Sequence, residues 1–298
     1  MKKQLLAFAV GAAILAVFAQ DQDYSKVEIK PTRLSPTVYM MEGAGGNLGV
    51  SAGEDTVFLV DSQFAPLTPK IEAAAKAISP KPVQFLFNTH WHYDHVGGNE
   101  NLGKSGAIIV AQDNVRKRMG TDQFMAAFNQ SVKASPKAAL PVVTFAESMS
   151  FHLNGERIDV IHVPNAHTDG DAILHFTGSD VLHMGDTFFN GMYPFIDTGS
   201  GGSIEGMIAA ADRGLALSTD KTKIIPGHGP LGSRADLQAY RQMLASVAER
   251  IRKQVDAGKS PEDIAKAGVT KEFDEKWGKG FLKPEQFVAI VAGGMRKH

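Results

Sequence analysis

The chain has 298 residues, a formal net charge of −1 and no cysteine. This length can supply a large hydrophobic core, and a content of 43% hydrophobic and 21% charged residues is typical of a globular enzyme. The nearly neutral charge excludes the clustered basic surface that nucleic acid requires, and the lack of cysteine excludes disulfides. We therefore expect a small-molecule substrate, no nucleic-acid partner, and a fold held by its core without disulfides.

Residues 1–19 have the three parts of a secretory signal peptide. Lys2 and Lys3 precede an apolar stretch over residues 5–18, and Ala19 ends a small-residue pattern ahead of polar residues. A membrane-spanning helix needs about 20 apolar residues, more than this stretch provides. We predict cleavage after Ala19, a periplasmic or secreted protein, and no stable membrane anchoring after cleavage. An uncleaved anchoring helix is the alternative.

The first half of the remaining chain is predicted to consist mainly of strands. Short apolar runs bounded by glycine- or proline-containing turns predict strands at 38–41, 48–50, 56–60, 83–87 and 107–111. The first three of these runs predict an antiparallel meander, and helical spacing predicts a helix over 66–78. The segment 113–141 is predicted to be helical in pieces. Its Phe124, Met125 and Phe128 share one side, which either packs in the core or covers a site.

Four metal-capable side chains lie within six residues, directly after the predicted strand 83–87. They are His90, His92, Asp94 and His95. The two imidazoles at 90 and 92 can point to one ion, and the two ligands after the turn can bind a neighbouring ion, so the arrangement suits two metals. Zinc is favoured, with iron or manganese possible because no thiolate is present. A histidine-rich polar loop without metal is the alternative. Trp91 and Tyr93 alternate with the ligands and are expected to point away from the metals.

The second half repeats the pattern of strands followed by helices. Strands are predicted at 142–145, 148–152, 157–163, 172–176, 181–184 and 223–225, and helices at 203–217, at 234–255 and from 260 onward. This repetition predicts two sheets packed face to face with helices outside each, in a single domain over residues 24–298. The C-terminal apolar residues Trp277, Phe281, Phe287 and Ile290 are expected to cap the core, with a dimer contact as the alternative. The oligomeric state stays open.

Three further candidate ligands stand in loops at the ends of predicted strands. His167 follows the strand 157–163, Asp186 follows 181–184 through a glycine, and His228 lies between two glycines after 223–225. A rigid scaffold can hold a side chain at such a strand end and leave it accessible. Together with the histidine cluster, these residues predict one metal centre.

These motifs resemble the metallo-β-lactamase-fold superfamily of metallohydrolases, from about residue 38 to 229. The resemblance rests on the H-x-H-x-D-H run at 90–95, followed by the three later ligands in the family's order. It implies an α+β fold, a four-layer αββα sandwich with the site at one edge of the two sheets. It also implies His90, His92 and His167 on a first metal, Asp94, His95 and His228 on a second, and Asp186 bridging both. Asp61 matches the family's early aspartate that helps to hold the histidine loop; an ordinary turn aspartate is the alternative.

The resemblance implies a hydrolase with two zinc ions that share a bridging hydroxide and cleave an ester, thioester, lactone or related bond. Asp94 is predicted to be catalytic, orienting the nucleophile or passing its proton to the leaving group. Tyr193 lies in the aromatic loop after the bridging aspartate and is predicted to donate to an oxyanion. Phe188, Phe189 and Met192 of the same loop are expected to line an apolar pocket, or else to pack the loop onto the sandwich.

Three other functions stay open. The first is hydrolysis of β-lactams, which export favours because it is typical of β-lactamases. Against it, β-lactam hydrolases of this family usually carry Cys or Ser at the position of Asp186, so the aspartate favours the glyoxalase II and lactonase branches. An oxidoreductase with one iron, similar to the persulfide dioxygenases that resemble glyoxalase II, is the second alternative. A binding protein with a vestigial metal site is the third.

Overall fold

Two β-sheets of seven and six strands pack face to face in the computed structural model, which describes residues 23–296. The predicted signal peptide and its cleavage site at Ala19 lie outside these residues. Within residues 23–296, no helix is long and apolar enough to cross a membrane.

The secondary structure of the described residues comprises strands, α-helices and short 3-10 helices. The strands are β1 (Lys30–Arg33), β2 (Val38–Glu42), β3 (Leu48–Ala52), β4 (Val57–Val60), β5 (Val83–Asn88), β6 (Ile108–Gln112), β7 (Gln123–Met125), β8 (Gln130–Val132), β9 (Val143–Phe145), β10 (Ser148–Leu153), β11 (Glu156–His162), β12 (Ala172–Phe176), β13 (Val181–His183), β14 (Lys223–Ile225) and β15 (Gly232–Ser233). The α-helices are α1 (Thr68–Ile78), α2 (Tyr93–Val96), α3 (Asn99–Lys104), α4 (Asp113–Met119), α5 (Ile204–Leu217), α6 (Arg234–Asp256), α7 (Pro261–Lys266), α8 (Asp274–Trp277) and α9 (Pro284–Met295). The 3-10 helices are Tyr24–Lys26, Ala65–Leu67, Ala126–Phe128, Lys137–Ala139, Gly185–Thr187 and Thr198–Ser200.

The first sheet has the order β1-β2-β3-β4-β5-β6-β9. Strands β2 to β4 pair antiparallel, which confirms the predicted meander, and β1, which was not predicted, adds an antiparallel edge strand. Strands β4, β5, β6 and β9 pair parallel. All four residues of β4 are buried, as expected for a strand with a parallel neighbour and both faces covered. The second sheet has the order β10 to β15 and is antiparallel except for the parallel pair β13 and β14, which α5 connects.

The core has three layers of side chains. Between the sheets, phenylalanines 58 and 87 of the first sheet meet Leu174 and Phe176 of the second. Outside the first sheet, α1 packs through Ile71 and Ala75. Outside the second sheet lie α5, α6 and α9. Helices therefore cover both outer faces of two packed sheets, which confirms the predicted four-layer αββα sandwich.

The helices of the second half begin at capping residues that the sequence contains. Ser233 caps α6 in a capping box with Asp236, and Ser260 caps α7, whose first residue is Pro261. Ser203 caps α5 by accepting a hydrogen bond from the backbone N–H of Gly206. The helices predicted at 203–217, at 234–255 and after 260 are confirmed to within a residue.

The segment 113–141 differs from its predicted structure. It is helical only over α4 and short 3-10 turns, and β7 and β8 form a two-stranded hairpin, which turns through Asn129 in a left-handed conformation. At the C-terminus, Trp277 and Phe287 are buried in the core as predicted, whereas Phe281 is exposed. Strands β7 and β8 have only three residues each, which is too short for alternating polarity to identify them from the sequence.

Candidate metal centre

The seven predicted ligands come from loops that follow β5, β11, β13 and β14, at one edge of the sandwich. Their donor atoms form two groups, and within each group all donor atoms lie within 4.8 Å of one another. The first group is His90, His92, His167 and Asp186, and the second group is Asp94, His95 and His228. The two groups match the two ligand sets that the resemblance implies.

The first group is buried, and one of its ring nitrogens has no hydrogen-bond partner within the protein. His90 Nε2 is buried without a hydrogen-bond partner, and a buried unpaired polar atom costs about 1–3 kcal/mol. His92 Nδ1 and His167 Nε2 face each other at 2.7 Å. Imidazole nitrogens and a carboxylate oxygen that line one buried space are the donor set of a divalent cation, so these residues fit a metal.

Asp186 lies between the two groups. Its Oδ2 is 3.5 Å from His167 Nε2 in the first group and 3.5 Å from His228 Nε2 in the second. Its Oδ1 is 3.1 Å from His95 Nε2. One carboxylate therefore contacts both groups, which is the position that a bridging ligand requires.

Burial and charge set the protonation of the two groups differently. Burial lowers the pKa of His167 to about 4 and holds the pKa of His90 well below its usual value, so both imidazoles are neutral and ready to bind a metal. Burial alone would raise the pKa of Asp94, but His95 and His228 lower it to about 2. Burial would likewise lower the pKa of His228, but Asp186 and Asp94 raise it to about 9. A bound cation would take the place of the proton on that histidine.

Four of the candidate ligand histidines are oriented by a hydrogen bond to the ring nitrogen that faces away from the donor group. The pairs are His90 Nδ1 with Thr89 Oγ1 (3.1 Å), His92 Nε2 with Asp197 Oδ2 (3.0 Å), His95 Nδ1 with Asp61 Oδ2 (2.8 Å) and His167 Nδ1 with the carbonyl oxygen of Phe195 (2.7 Å). Such partners fix the tautomer and the direction of a metal-binding imidazole.

Asp61 and Asp197 are the two carboxylates in these pairs, and only Asp61 was expected. Asp61 also accepts hydrogen bonds from the backbone N–H and the hydroxyl of Thr89, so it holds the start of the histidine loop as the resemblance implies. Asp197 was missed. Its one signal in the sequence is the Asp-Thr-Gly-Ser run, in which its side chain accepts from the backbone N–H groups of Gly199 and Ser200.

The glycine-rich turn between β2 and β3 lies against the second group. A Cβ atom at Gly46 would overlap the imidazole of His95, and one at Gly45 would overlap the carbonyl oxygen of Asp94. Gly227, before His228, is similarly close to the carboxylate of Asp186. These glycines allow backbone segments to approach the ligands more closely than any side chain would permit.

Comparison with known proteins identifies the family of this chain. The model of the metallo-beta-lactamase superfamily matches residues 42–228, which is more than half of the chain and includes all seven candidate ligands. The chain belongs to the metallo-beta-lactamase superfamily. Members of this superfamily are metal-dependent hydrolases, and the matched region contains both of the His/Asp groups described above, whose donor atoms are placed to hold metal ions.

Curated relatives of this superfamily member have low sequence identity. A linear primary-alkylsulfatase from Pseudomonas sp. is 22% identical over 256 residues, which cover 72% of this chain and 48% of that protein. A hydroxyacylglutathione hydrolase from Polaromonas sp. is 25% identical over 232 residues, which cover 73% of this chain and 74% of that protein. The chain spans about half the length, or less, of several relatives it matches, with coverages of 48%, 52% and 35%.

Solved structures with the same fold include a sec-alkylsulfatase from Pseudomonas sp. It aligns with a TM-score of 0.64 at 17% identity, over 89% of this chain and 50% of that chain. A metallo-beta-lactamase from Pontibacter korlensis aligns with a TM-score of 0.60 at 20% identity, over 73% of this chain and 99% of that chain. At these identities the structures show that the fold is shared.

The prediction that Tyr193 donates to an oxyanion in this metallo-beta-lactamase-superfamily site is wrong. Its hydroxyl donates to Asp274 at 2.8 Å, and its ring stacks on Phe287 at 4.7 Å, in the core beneath the C-terminal helices. Burial, together with Asp274, raises the pKa of Tyr193. Phe188 and Phe189 are also fully buried and do not line an open pocket. The aromatic loop packs onto the sandwich, which was the alternative interpretation, because helices that follow the family's matched region cover it.

The hairpin of β7 and β8 borders the metal centre of this superfamily member. Phe128, at its tip, lies with its ring 4.6 Å from that of Phe195, whose ring is 5.8 Å from those of His92 and His167. Phe124 is 57% exposed. Of the two interpretations of the segment 113–141, the one in which its aromatic residues cover a site therefore fits better than the one in which they pack in the core.

The two aromatic residues within the histidine loop point away from the donor groups, as expected. Trp91 is buried in a separate apolar cluster with Val115 and Met119 of α4. Tyr93 is 52% exposed and its ring packs against Phe64.

Proposed function

We propose that this chain is a dinuclear zinc hydrolase that cleaves an ester, thioester, lactone or related bond. The observation that carries the proposal is the position of Asp186, whose carboxylate contacts both donor groups and so makes them one centre for two ions. Borderline nitrogen and oxygen donors without any thiolate support zinc, which coordinates imidazole and carboxylate readily.

The chemistry of the centre divides between the ions and the protein. Two bound zinc ions would lower the pKa of coordinated water to about 7 and polarise the oxygen of the bond to be cleaved. The protein holds the imidazoles in place through Asp61, Asp197 and backbone partners, and keeps the first donor group out of water. This division of roles supports hydrolysis, which needs only an activated water and a polarised bond.

Asp94 is the carboxylate that we assign to proton handling. Its side chain is 31% exposed, whereas that of Asp186 is 5% exposed, so of these two carboxylates Asp94 is the one that substrate and solvent can reach. Asp94 Oδ2 lies 3.2 Å from His228 Nε2. We propose that Asp94 orients the attacking water and passes its proton to the leaving group.

The relatives support ester-like bonds as the substrate class. A hydroxyacylglutathione hydrolase and an alkylsulfatase, by their names, act on a thioester and on a sulfate ester, and both align with most of this chain. The partly exposed Phe128 supports a substrate with an apolar part that lies along the hairpin, because apolar surface beside a polar site is typical of small-molecule pockets.

We further propose that the protein is exported and acts on a small molecule rather than on nucleic acid. The basic, apolar and small-residue segments within residues 1–19 support export, and the net charge of −1 supplies no excess of basic residues for binding nucleic acid. Mass determination of protein released from the periplasm would test cleavage after Ala19.

Metal analysis combined with a substrate panel tests the function. We would measure zinc, iron and manganese per chain and initial rates with an aryl ester, an acyl lactone, a glutathione thioester, an alkyl sulfate and a cephalosporin. Two zinc ions per chain and turnover of an ester-like substrate are expected, with both lost in Asp186→Ala. One iron per chain without hydrolysis would overturn the proposal in favour of oxygen chemistry, and turnover of the cephalosporin alone would overturn the substrate class.

A further inference from the structure

Residues 193–203 form the connecting loop between the aromatic segment after Asp186 and helix α5. Two groups of this loop orient ligands of the first donor group: Asp197 bonds to His92, and the carbonyl oxygen of Phe195 accepts from His167. The loop itself contributes no candidate ligand. Its contacts with the histidines therefore act on the metal centre through the orientation of the imidazoles.

Asp197 is held rigidly by its own neighbours. Its Oδ2 accepts from the hydroxyl of Ser200 at 2.6 Å, and its Oδ1 accepts from the backbone N–H groups of Gly199 and Ser200 at 3.1 and 3.2 Å. The carboxylate is buried, and the remaining partner of Oδ2 is Nε2 of His92 at 3.0 Å. A carboxylate fixed in this way can hold one tautomer of His92, with Nδ1 directed into the first donor group.

The C-terminal helices support the connecting loop at two positions. At Tyr193, the backbone N–H donates to the carbonyl oxygen of Trp277 at 2.9 Å, and the ring stacks on Phe287 of α9. At Thr198, the neighbour of Asp197, helix α9 approaches through Gly294: a Cβ atom at this glycine would lie 2.8 Å from Thr198 Cγ2. The supporting residues lie beyond residue 228, where the match to the family model ends.

We infer that the C-terminal helices α8 and α9 set the metal affinity of the first donor group through the connecting loop. Asp197 is the positioning residue that orients His92. Removal of such a partner of a ligand typically weakens metal binding about 10–100-fold. The inference goes beyond the proposed function because it applies whichever bond is cleaved, and because it assigns a role to residues outside the family's matched region.

The second donor group provides an internal reference. His95 is oriented by Asp61 and packed against the turn at Gly46, both in the first half of the sandwich. A change in the connecting loop is therefore expected to weaken one of two metal equivalents and to leave the other. General damage to the fold would weaken both.

Adjacent glycines in α9 supply a matched pair of variants. A Cβ at Gly294 meets Thr198, whereas a Cβ at Gly293 has no heavy atom within 4 Å. The substitutions Gly294→Val and Gly293→Val change helix propensity equally and differ in their contact with the loop. Asp197→Asn tests the positioning residue itself, because it retains the size of the side chain but not the charged acceptor.

The experiment measures zinc affinity of the full chain by competition with a chelator, with circular dichroism as a check of folding. We expect one equivalent to bind about 10–100-fold more weakly in Asp197→Asn, the same equivalent to be weakened in Gly294→Val, and Gly293→Val to bind as wild type. In a His92→Ala background, neither Asp197→Asn nor Gly294→Val should change the affinity of the remaining equivalent.

Each contrary result overturns part of the inference. Unchanged affinity in Asp197→Asn would remove the positioning role of Asp197, and equal affinities in the two glycine variants would remove the role of the helices. Weakening of the remaining equivalent in the His92→Ala background would show a general structural effect instead. Because the measurement needs no substrate, its failure is distinct from failure of the proposed hydrolase function.

Discussion

Asp61 Oδ2 lies 2.8 Å from His95 Nδ1, and both side chains are fully buried. The same carboxylate accepts two hydrogen bonds from Thr89, one residue before the first ligand, so a single aspartate aligns the start of the histidine loop and a ligand near its end. Asp61 itself adopts a left-handed backbone conformation with φ of 63°. This conformation is uncommon for a residue other than glycine, and it occurs here at the residue whose carboxylate holds the histidine loop.

We predict that Asp61→Asn weakens the metal bound by the second donor group about 10–100-fold. Asparagine tolerates the left-handed conformation and has the same size. It keeps an oxygen for the N–H of Thr89 and removes the charged acceptor shared by His95 and the hydroxyl of Thr89. Chelator competition would measure the affinities of the two zinc equivalents separately. We expect the weaker binding in the zinc equivalent that Asp197→Asn leaves unchanged. Loss of the same equivalent in both variants would contradict the division into two groups.

We predict that Asp94→Asn slows turnover by about 10²–10⁴-fold, the range typical of a lost general acid or base. Asparagine retains an oxygen that can contact a cation but cannot carry a proton between water and leaving group. Metal content must be measured on the same sample, because slower turnover counts only if both ions are present. Full turnover with both ions bound would exclude a proton-transfer role for Asp94.

Tyr193→Phe is predicted to affect stability rather than catalysis. The variant removes the hydrogen bond to Asp274 but keeps the ring on Phe287, so the free energy of unfolding should fall by about 1 kcal/mol. Metal affinity and catalytic efficiency should equal those of the wild type. Denaturant unfolding and steady-state kinetics would test this pair of outcomes, and turnover slowed by about two orders of magnitude would reinstate the oxyanion role.

We predict that the free energy of unfolding depends on pH through the buried His183. Burial lowers its pKa to about 4 from the usual 6.5, so between these values the unfolded chain binds more protons than the folded one at this site. The contribution of His183 to the free energy of unfolding is fully present above pH 6.5 and is lost as the pH falls towards 4. The loss amounts to up to about 3 kcal/mol, at roughly 1.36 kcal/mol per pKa unit.

The variant His183→Gln should have a flatter profile over this interval, measured as the free energy of unfolding at successive pH values. Glutamine cannot titrate, and its amide can still donate to the carbonyl oxygen of Asn47, the acceptor of His183 Nε2. The exposed His152 supplies the control variant His152→Gln. If the free energy of unfolding depends on pH equally in wild type and His183→Gln, His183 does not contribute to that dependence.

The sequence predicted the sandwich and the candidate ligands because both depend on local patterns. The H-x-H-x-D-H run and the strand-end positions of His167, Asp186 and His228 are visible within a few residues. Asp197 was missed because its role arises from proximity to His92, 105 residues earlier, and no local pattern encodes that contact. The predicted role of Tyr193 was wrong for the same reason, since its hydrogen-bond partner Asp274 lies 81 residues later.

The hairpin of β7 and β8 leads to a prediction about substrate preference. Phe128 extends the row of rings from His92 and His167 through Phe195 to the surface, so an apolar chain on the substrate would contact it. With esters of increasing acyl length, the catalytic efficiency of the wild type should rise by up to about fourfold per methylene, the equivalent of about 0.8 kcal/mol for a buried methylene. The rise should be smaller in Phe128→Ala, with rates for the shortest ester unchanged. Phe281→Ala removes an exposed phenylalanine outside the hairpin and should keep the wild-type dependence. If Phe128→Ala and wild type depend equally on chain length, the apolar part of the substrate does not lie on the hairpin.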